Sequence, residues 1–178
     1  ITDEFIWSRP GAVSPIRDRR KFTITVPGPG LYQIEAEIVM EMLTDVRILK
    51  TNHSLFSARI AVDLSVKSGG VMINAEGLKG EKETFGKRSA WIDFYGRRGD
   101  ITEGIAIIQH PSNPWYPAPW FTRDYGFMSP TPMYWPENGK DTFLQKGTLL
   151  TLRYLVIVHS GDNNQAKIGE ISERYSRR

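Results

Sequence analysis

"LYQIEAEIVMEM", residues 31–42, decides the fold. Tyr32, Ile34, Ala36, Ile38, Met40 and Met42 recur at every second position, with Gln33, Glu35, Glu37 and Glu41 between them. Successive side chains of a strand point to opposite faces, whereas a helix would scatter those glutamates around its circumference. The stretch therefore predicts one long strand with a single wet face.

Outward from it the same grammar repeats. Upstream, "KFTITV" (21–26) alternates and "PGPG" (27–30) supplies a turn. Downstream come "LFSARIAVDLSV" (55–66), "GVMINAEG" (70–77), "SAWIDFYG" (89–96) and "EGIAIIQH" (103–110). "GTLLTLRYLVIVHSG" (147–161) is the most apolar and β-branched, which predicts a central strand. Between two of them, "EKETFGKR" (81–88) reads as a solvated, charge-rich loop. Only the tail has helical spacing: Asp162 is an N-cap candidate, and Ala166, Ile168, Ile171 and Tyr175 share one face. Short strands, Gly/Pro turns and one terminal helix predict an all-β fold, an antiparallel β-sandwich of jelly-roll or supersandwich-like form with a short C-terminal helix. No helices alternate with the strands, which disfavours a parallel α/β sheet.

Bulk properties narrow the function. The 178 residues fit one domain. The net charge is only +3, and the basic residues are spread along the chain apart from clusters at 17–21 and 174–178. Nucleic-acid binders concentrate such charge on one face, so a nucleic-acid partner is disfavoured. The absence of cysteine excludes disulfides, thiolate metal sites and a cysteine nucleophile. No apolar run approaches the roughly 20 residues of a membrane-spanning helix. The chain does not begin with methionine and carries no signal-peptide pattern, so upstream residues are expected. The compartment stays open, with periplasm or secretion favoured over cytoplasm.

Residues 110–136 are unusual. Seven prolines brace a run that holds Trp115, Tyr116, Trp120, Phe121, Tyr125, Phe127, Tyr134 and Trp135. Proline lowers the entropy lost on ordering, and long structured loops on a β scaffold commonly carry binding sites. Flat rings beside amides and charges suit a saccharide or sugar acid. The reading makes Trp115, Trp120 and Trp135 stacking platforms, with Asn113, Tyr125, Arg59 and Trp91 as further ligand contacts. The competing reading is that the rings plug one end of the sandwich.

Four residues are candidates for chemistry. His110 and His159 each end an apolar strand, where an acid/base or metal ligand would emerge at a sheet rim. Arg123 offers a planar fork for a carboxylate or an oxyanion, unless it simply pairs with Asp124. Asp93 follows Trp91 on the same strand face. Asp93, Glu103, Asp124 and Glu137 are available for glycoside chemistry, which needs two carboxyls either roughly 5 Å or roughly 6.5–9.5 Å apart. His53, His110 and His159 form a conceivable metal triad, so a divalent metal is carried as an option; no cofactor is required by the sequence. There is no G-x-S-x-G elbow and no phosphate-cradling glycine loop.

Specific segments resemble a known bacterial family. "EGLKGEKETFGKRSAWIDFYG", "GIAIIQHPSNPWYPAPWFTRDYGFMSPTP" and "LRYLVIVHSGD" are similar to the C-terminal half of the family labelled "methane oxygenase PmoA". The pattern runs through Gly77 and Gly80, Phe85-Gly86-Lys87, Trp91 with Asp93, His110-Pro111 and Asn113-Pro114. It continues through Pro119-Trp120, Arg123 with Tyr125-Gly126, Arg153-Tyr154 and His159, and covers about residues 20–175. Members of that family are longer, with a His-His-Arg-rich N-terminal segment that is absent here. Methane oxidation is set aside, because a methane monooxygenase subunit is an integral membrane protein. What the resemblance implies instead is a β-sandwich protein of bacterial carbohydrate metabolism.

Three functional expectations follow. The first is a sugar lyase or hydrolase using His110, His159, Arg123 and Asp93. The second is a non-catalytic carbohydrate-binding module, and the third is a structural subunit that meets a missing N-terminal half or forms a homo-oligomer. Mutual distance separates the first two: catalysis requires His110, His159 and Arg123 in one pocket.

Overall fold

The computed structural model describes residues 1–51, 55–131 and 141–178. In chain order its strands are β1 (Thr2–Trp7), β2 (Ile16–Gly28), β3 (Leu31–Met42), β4 (Val46–Ile48), β5 (Ala58–Arg59), β6 (Val71–Asn74), β7 (Trp91–Arg98), β8 (Ile101–Gln109), β9 (Trp120–Arg123), β10 (Phe127–Pro130), β11 (Thr142–Leu144) and β12 (Leu149–Ser160). Two α-helices accompany them, α1 (Gly80–Thr84) and α2 (Ile168–Ser176). The large sheet has the order β1-β2-β3-β12-β8-β7-β6, and two small sheets are ordered β5-β10-β9 and β11-β4. Every pairing is antiparallel. The chain is thus an all-β, antiparallel sandwich with a short C-terminal helix, and β12 lies inside the large sheet, between β3 and β8, as its composition predicts.

Alternation on β3 sets the layers. Ala36, Ile38, Met40 and Met42 are buried and join Leu152 and Tyr154 of β12, Ile107 of β8 and Phe94 of β7. Trp120 and Met128 from the small β5-β10-β9 sheet close this first core from the other side. The second face of the large sheet carries Trp91, Ala106, Ile108, Leu155 and Ile157, which α2 covers with Ile168, Ile171 and Tyr175. Glu35, Glu37 and Glu41 of β3 sit at the alternate positions, partly open to water.

Several local expectations give way to tertiary packing. Only Ala58 and Arg59 of residues 55–66 pair as a strand; two 3₁₀ turns follow at Val62–Leu64 and Val66–Ser68. A Cβ on Gly70 would lie 2.1 Å from the Leu64 carbonyl oxygen, and one on Gly96 would lie 3.0 Å from Leu64 Cα. Those two glycines let the segment bury Leu64 close against β7, which an extended strand would not do. The charge-rich stretch 81–88 is partly α1, held by Thr84 Oγ1 on the Gly80 carbonyl (2.8 Å) and near Thr122 Oγ1 (2.9 Å). Asp162 does not cap α2: its Oδ1 accepts the N–H groups of Asn164 and Gln165, stabilising the turn before the helix. β1, unanticipated in the sequence, is fixed to β2 by a buried Asp18 that receives Trp7 Nε1 (3.1 Å) and the Arg20 guanidinium (2.8 Å).

The largest correction concerns residues 110–136. This is not one long binding loop. Residues 120–130 form β9, a turn and β10, the second layer of the sandwich. Trp120, Thr122 and Met128 face inward and are fully buried, whereas Phe121, Arg123 and Phe127 alternate outward.

Candidate functional site

β8 separates β7 from β12, yet a side-chain bond crosses it. Asp93 pairs in register with Ala106 and His159 with Gly104, on the face that α2 covers. His159 Nε2 lies 3.0 Å from Asp93 Oδ1, and neither side chain is exposed. Gly104 makes this reach feasible, because a Cβ there would lie 2.4 Å from His159 Cε1. Asp93 Oδ2 and His159 Nδ1 find no hydrogen-bond partner, although the Ser160 and Gly161 backbone stands beside the ring. Burial pushes the Asp93 carboxyl above the usual carboxylate range, against the pull of His159. Burial also works against the imidazolium, but the Asp93 hydrogen bond and charge outweigh it, so His159 is raised. The pair is a sealed dyad with no opening for a substrate.

His110 lies at the opposite end of the sheet. β8 and β12 are antiparallel, so the C-terminal end of one adjoins the beginning of the other. The His110 N–H donates to Arg153 (3.1 Å), six residues before His159 on β12. At 3.3 Å per residue this separates the two histidines by about 20 Å. The expected convergence of His110 and His159 therefore fails, and with it the metal triad. His53 lies outside the described residues, and no group of three metal-ligating side chains exists among the described ones.

His110 is engaged locally. Its Nδ1 accepts the Ser112 N–H (3.1 Å), and its ring meets Tyr175 edge-on at 5.0 Å. Burial, helped by the Arg153 charge, pulls its pKa below the ordinary value. Asn113 imitates a paired strand residue: Nδ2 donates to the Arg153 carbonyl (2.9 Å) and Oδ1 accepts the Arg153 N–H (2.7 Å). Both residues fasten the proline turn to β12, which overturns Asn113 as a ligand contact. Asn113→Ala is expected to destabilise the fold by about 2 kcal/mol, since it removes two bonds and orphans the partly buried Arg153 N–H, while the Arg153 carbonyl keeps the His110 N–H; chemical denaturation measures it.

Among the described residues, the tryptophans do not form a wall. Trp120 is 1% exposed, and its Nε1 donates to the Ser89 carbonyl at 2.9 Å. It is a core residue and no stacking platform, because the register of β9 turns it inward. Trp115 is half-buried against the same core. Trp135, with Tyr134 and Glu137, lies outside the described residues.

Two other groupings do assemble. On the outer face of the small sheet, Arg59, Phe127 and Arg123 form one row across β5, β10 and β9. Arg123 lies between the Phe85 and Phe121 rings, 4.6 and 4.5 Å from their centroids, and bonds Glu81. Glu81 also accepts the Asp124 N–H (3.1 Å), and Asp124 accepts the Glu81 N–H (2.8 Å). Arg123 therefore pairs with Glu81, not with Asp124. Arg59 lies 5.1 Å from the Tyr125 ring centroid.

The second grouping is a cleft of about 430 Å³ between the β6–β7 edge and the approach to α2. Trp91, 8% exposed, lines it together with Asn74, Asn163, Asn164, Lys167 and Glu170. Asn74 Oδ1 accepts the Glu76 and Leu78 N–H groups (3.1 and 2.9 Å), and its buried Nδ2 has no partner. Lys167 has φ +56, the one non-glycine residue with positive φ among the described residues. Of the side chains that line this cleft, sequence reasoning singled out Trp91 alone as a ligand contact. The available signal for the rest was the run Asp162-Asn163-Asn164-Gln165, whose amides are unsuited to a helix interior.

No helix among the described residues is long and apolar enough to cross a membrane. No curated protein and no solved structure matches the chain. One family model does, over residues 1–173; it is described as a family of unknown function, DUF6807.

Proposed function

From the premise that this chain belongs to that family of unknown function, we propose that it is a non-catalytic module that binds a saccharide in the cleft beside α2. The observation that carries the reading is the cleft's lining: one edge of the largely buried Trp91 indole with amides from Asn163, Asn164 and Asn74 around about 430 Å³. Amides both donate and accept, which matches sugar hydroxyls, and the indole supplies an apolar surface for a C–H face. Ligand sites are concave, and this cleft is of the size that holds one or two sugar rings. Lys167 and Glu170, 3.7 Å apart, add a cation and an anion at the rim without net charge, which favours a neutral ligand. The resemblance to the family labelled "methane oxygenase PmoA" points toward carbohydrate as well.

A binding role is favoured over a lyase or hydrolase on distance. His110 and His159 stand at opposite ends of β12, and Arg123 belongs to the other sheet. The test is a titration of the isotope-labelled protein with glucose, galactose, maltose and cellobiose, followed by NMR. At least one should saturably shift the Asn163 and Asn164 amides and the Trp91 indole. Asn164→Ala should then weaken binding about tenfold, the loss expected for a hydrogen bond. Unmoved resonances across all four sugars would remove the reading.

A further inference from the structure

The outer face of the β5-β10-β9 sheet is a second surface, independent of the cleft. Arg59 is exposed, rests against Tyr125 and has no acidic partner among the described residues. The acids nearby are already committed: Glu81 to Arg123 and the Asp124 N–H, and Asp124 to the Glu81 N–H. Lys67, whose backbone N–H bonds the Asp124 carbonyl at 3.1 Å, is a further cation with no ion-pair partner among the described residues. Between the two arginines of the row lies Phe127, half-buried, with Phe121 edge-on to it at 5.7 Å.

This combination has a definite complement. An arginine held on a ring keeps its planar fork oriented, so less freedom is lost when it grips a carboxylate bidentately. The adjacent phenyl rings need an apolar or C–H surface, and a fully polar anion would leave them uncovered. We propose that this face binds a uronate residue of an acidic saccharide, with its carboxylate on Arg59 and its C–H face on Phe127. Strand spacing of about 4.8 Å places Phe127 one strand from Arg59, within the span of a single pyranose ring. Arg123, bonded to Glu81 and enclosed by Phe85 and Phe121, positions the ring cluster.

The probe is a galacturonate trisaccharide, with maltotriose as the neutral match and a short polyglutamate as the charge match, all measured by calorimetric titration of the intact chain. The uronate is expected to bind and both controls to be at least tenfold weaker. Arg59→Gln should weaken the uronate at least tenfold, and Arg59→Lys, which keeps the charge but loses the fork, by a similar factor. Asn164→Ala should leave uronate binding unchanged, which separates this surface from the cleft. Equal binding of polyglutamate, equal binding of maltotriose, or an Arg59→Gln variant that binds as the original does would each overturn the proposal. Arg59 is exposed, so circular dichroism and melting of both variants are expected to match the parent.

Discussion

Asp93→Ala should lower the stability of the fold by about 3–5 kcal/mol, the loss seen when one partner of a buried ion pair is removed. The alanine leaves His159 enclosed between β7, β8 and the Ser160–Gly161 backbone with no acceptor for Nε2. Asp93→Asn, which keeps an oxygen at the same place, should lose markedly less. The pair also predicts a pH dependence whose sign is fixed by the two shifts. Both groups have folded-state values above their ordinary ones, so the folded state holds their protons more tightly than the unfolded state. The Asp93 contribution is full below about pH 3.8 and declines as pH rises through its raised value. The His159 contribution is full below about pH 6.5 and is lost as pH rises through its own. Urea midpoints of the parent should therefore fall between neutral and mildly alkaline pH, and His159→Gln should flatten that slope. A parent curve that rises over this interval, while the variant's is flat, would contradict the assignment.

Trp120→Ala is expected to be comparably severe, about 3–5 kcal/mol for emptying a buried tryptophan site. The ring is the largest fully buried side chain among the described residues, and it joins the small sheet to the core under β3, β12, β8 and β7. Its loss also removes the indole bond to the Ser89 carbonyl, which keeps only the Gln109 Nε2 bond at 2.9 Å. Trp120→Phe should recover most of the packing but not the indole bond, giving an intermediate melting temperature. If Trp120→Ala melted within a degree or two of the parent while saccharide binding disappeared, the ring would be a ligand platform after all.

Legibility of the fold tracked how local its cause was. The alternation in residues 31–42 identified β3, because burial on one face imposes a period of two on the residues themselves, and the apolar, β-branched content of residues 147–161 identified β12. The C-terminal helix was readable from Ile168, Ile171 and Tyr175 for the same reason. The loop-like appearance of residues 110–136 misled, since proline and aromatic content say nothing about which ring a strand turns inward. β9 and β10 are only four residues each, too short for a periodic signal.

The candidate site was legible in its parts and not in its grouping. Trp91 and Asp93 share a face as period two requires, and Arg59, Arg123 and Tyr125 do gather on one surface. Yet His110 and His159, both strand-ending histidines in the chain, stand at opposite ends of the sheet because their strands run antiparallel. The chain's own residue pattern was enough to establish an all-β sandwich with a helical tail, since hydrophobic periodicity is a property of neighbours in sequence. Which polar side chains meet, the His159–Asp93 bond across Gly104 above all, followed from strand order and register, which join residues 66 positions apart and leave no trace in either one's local context.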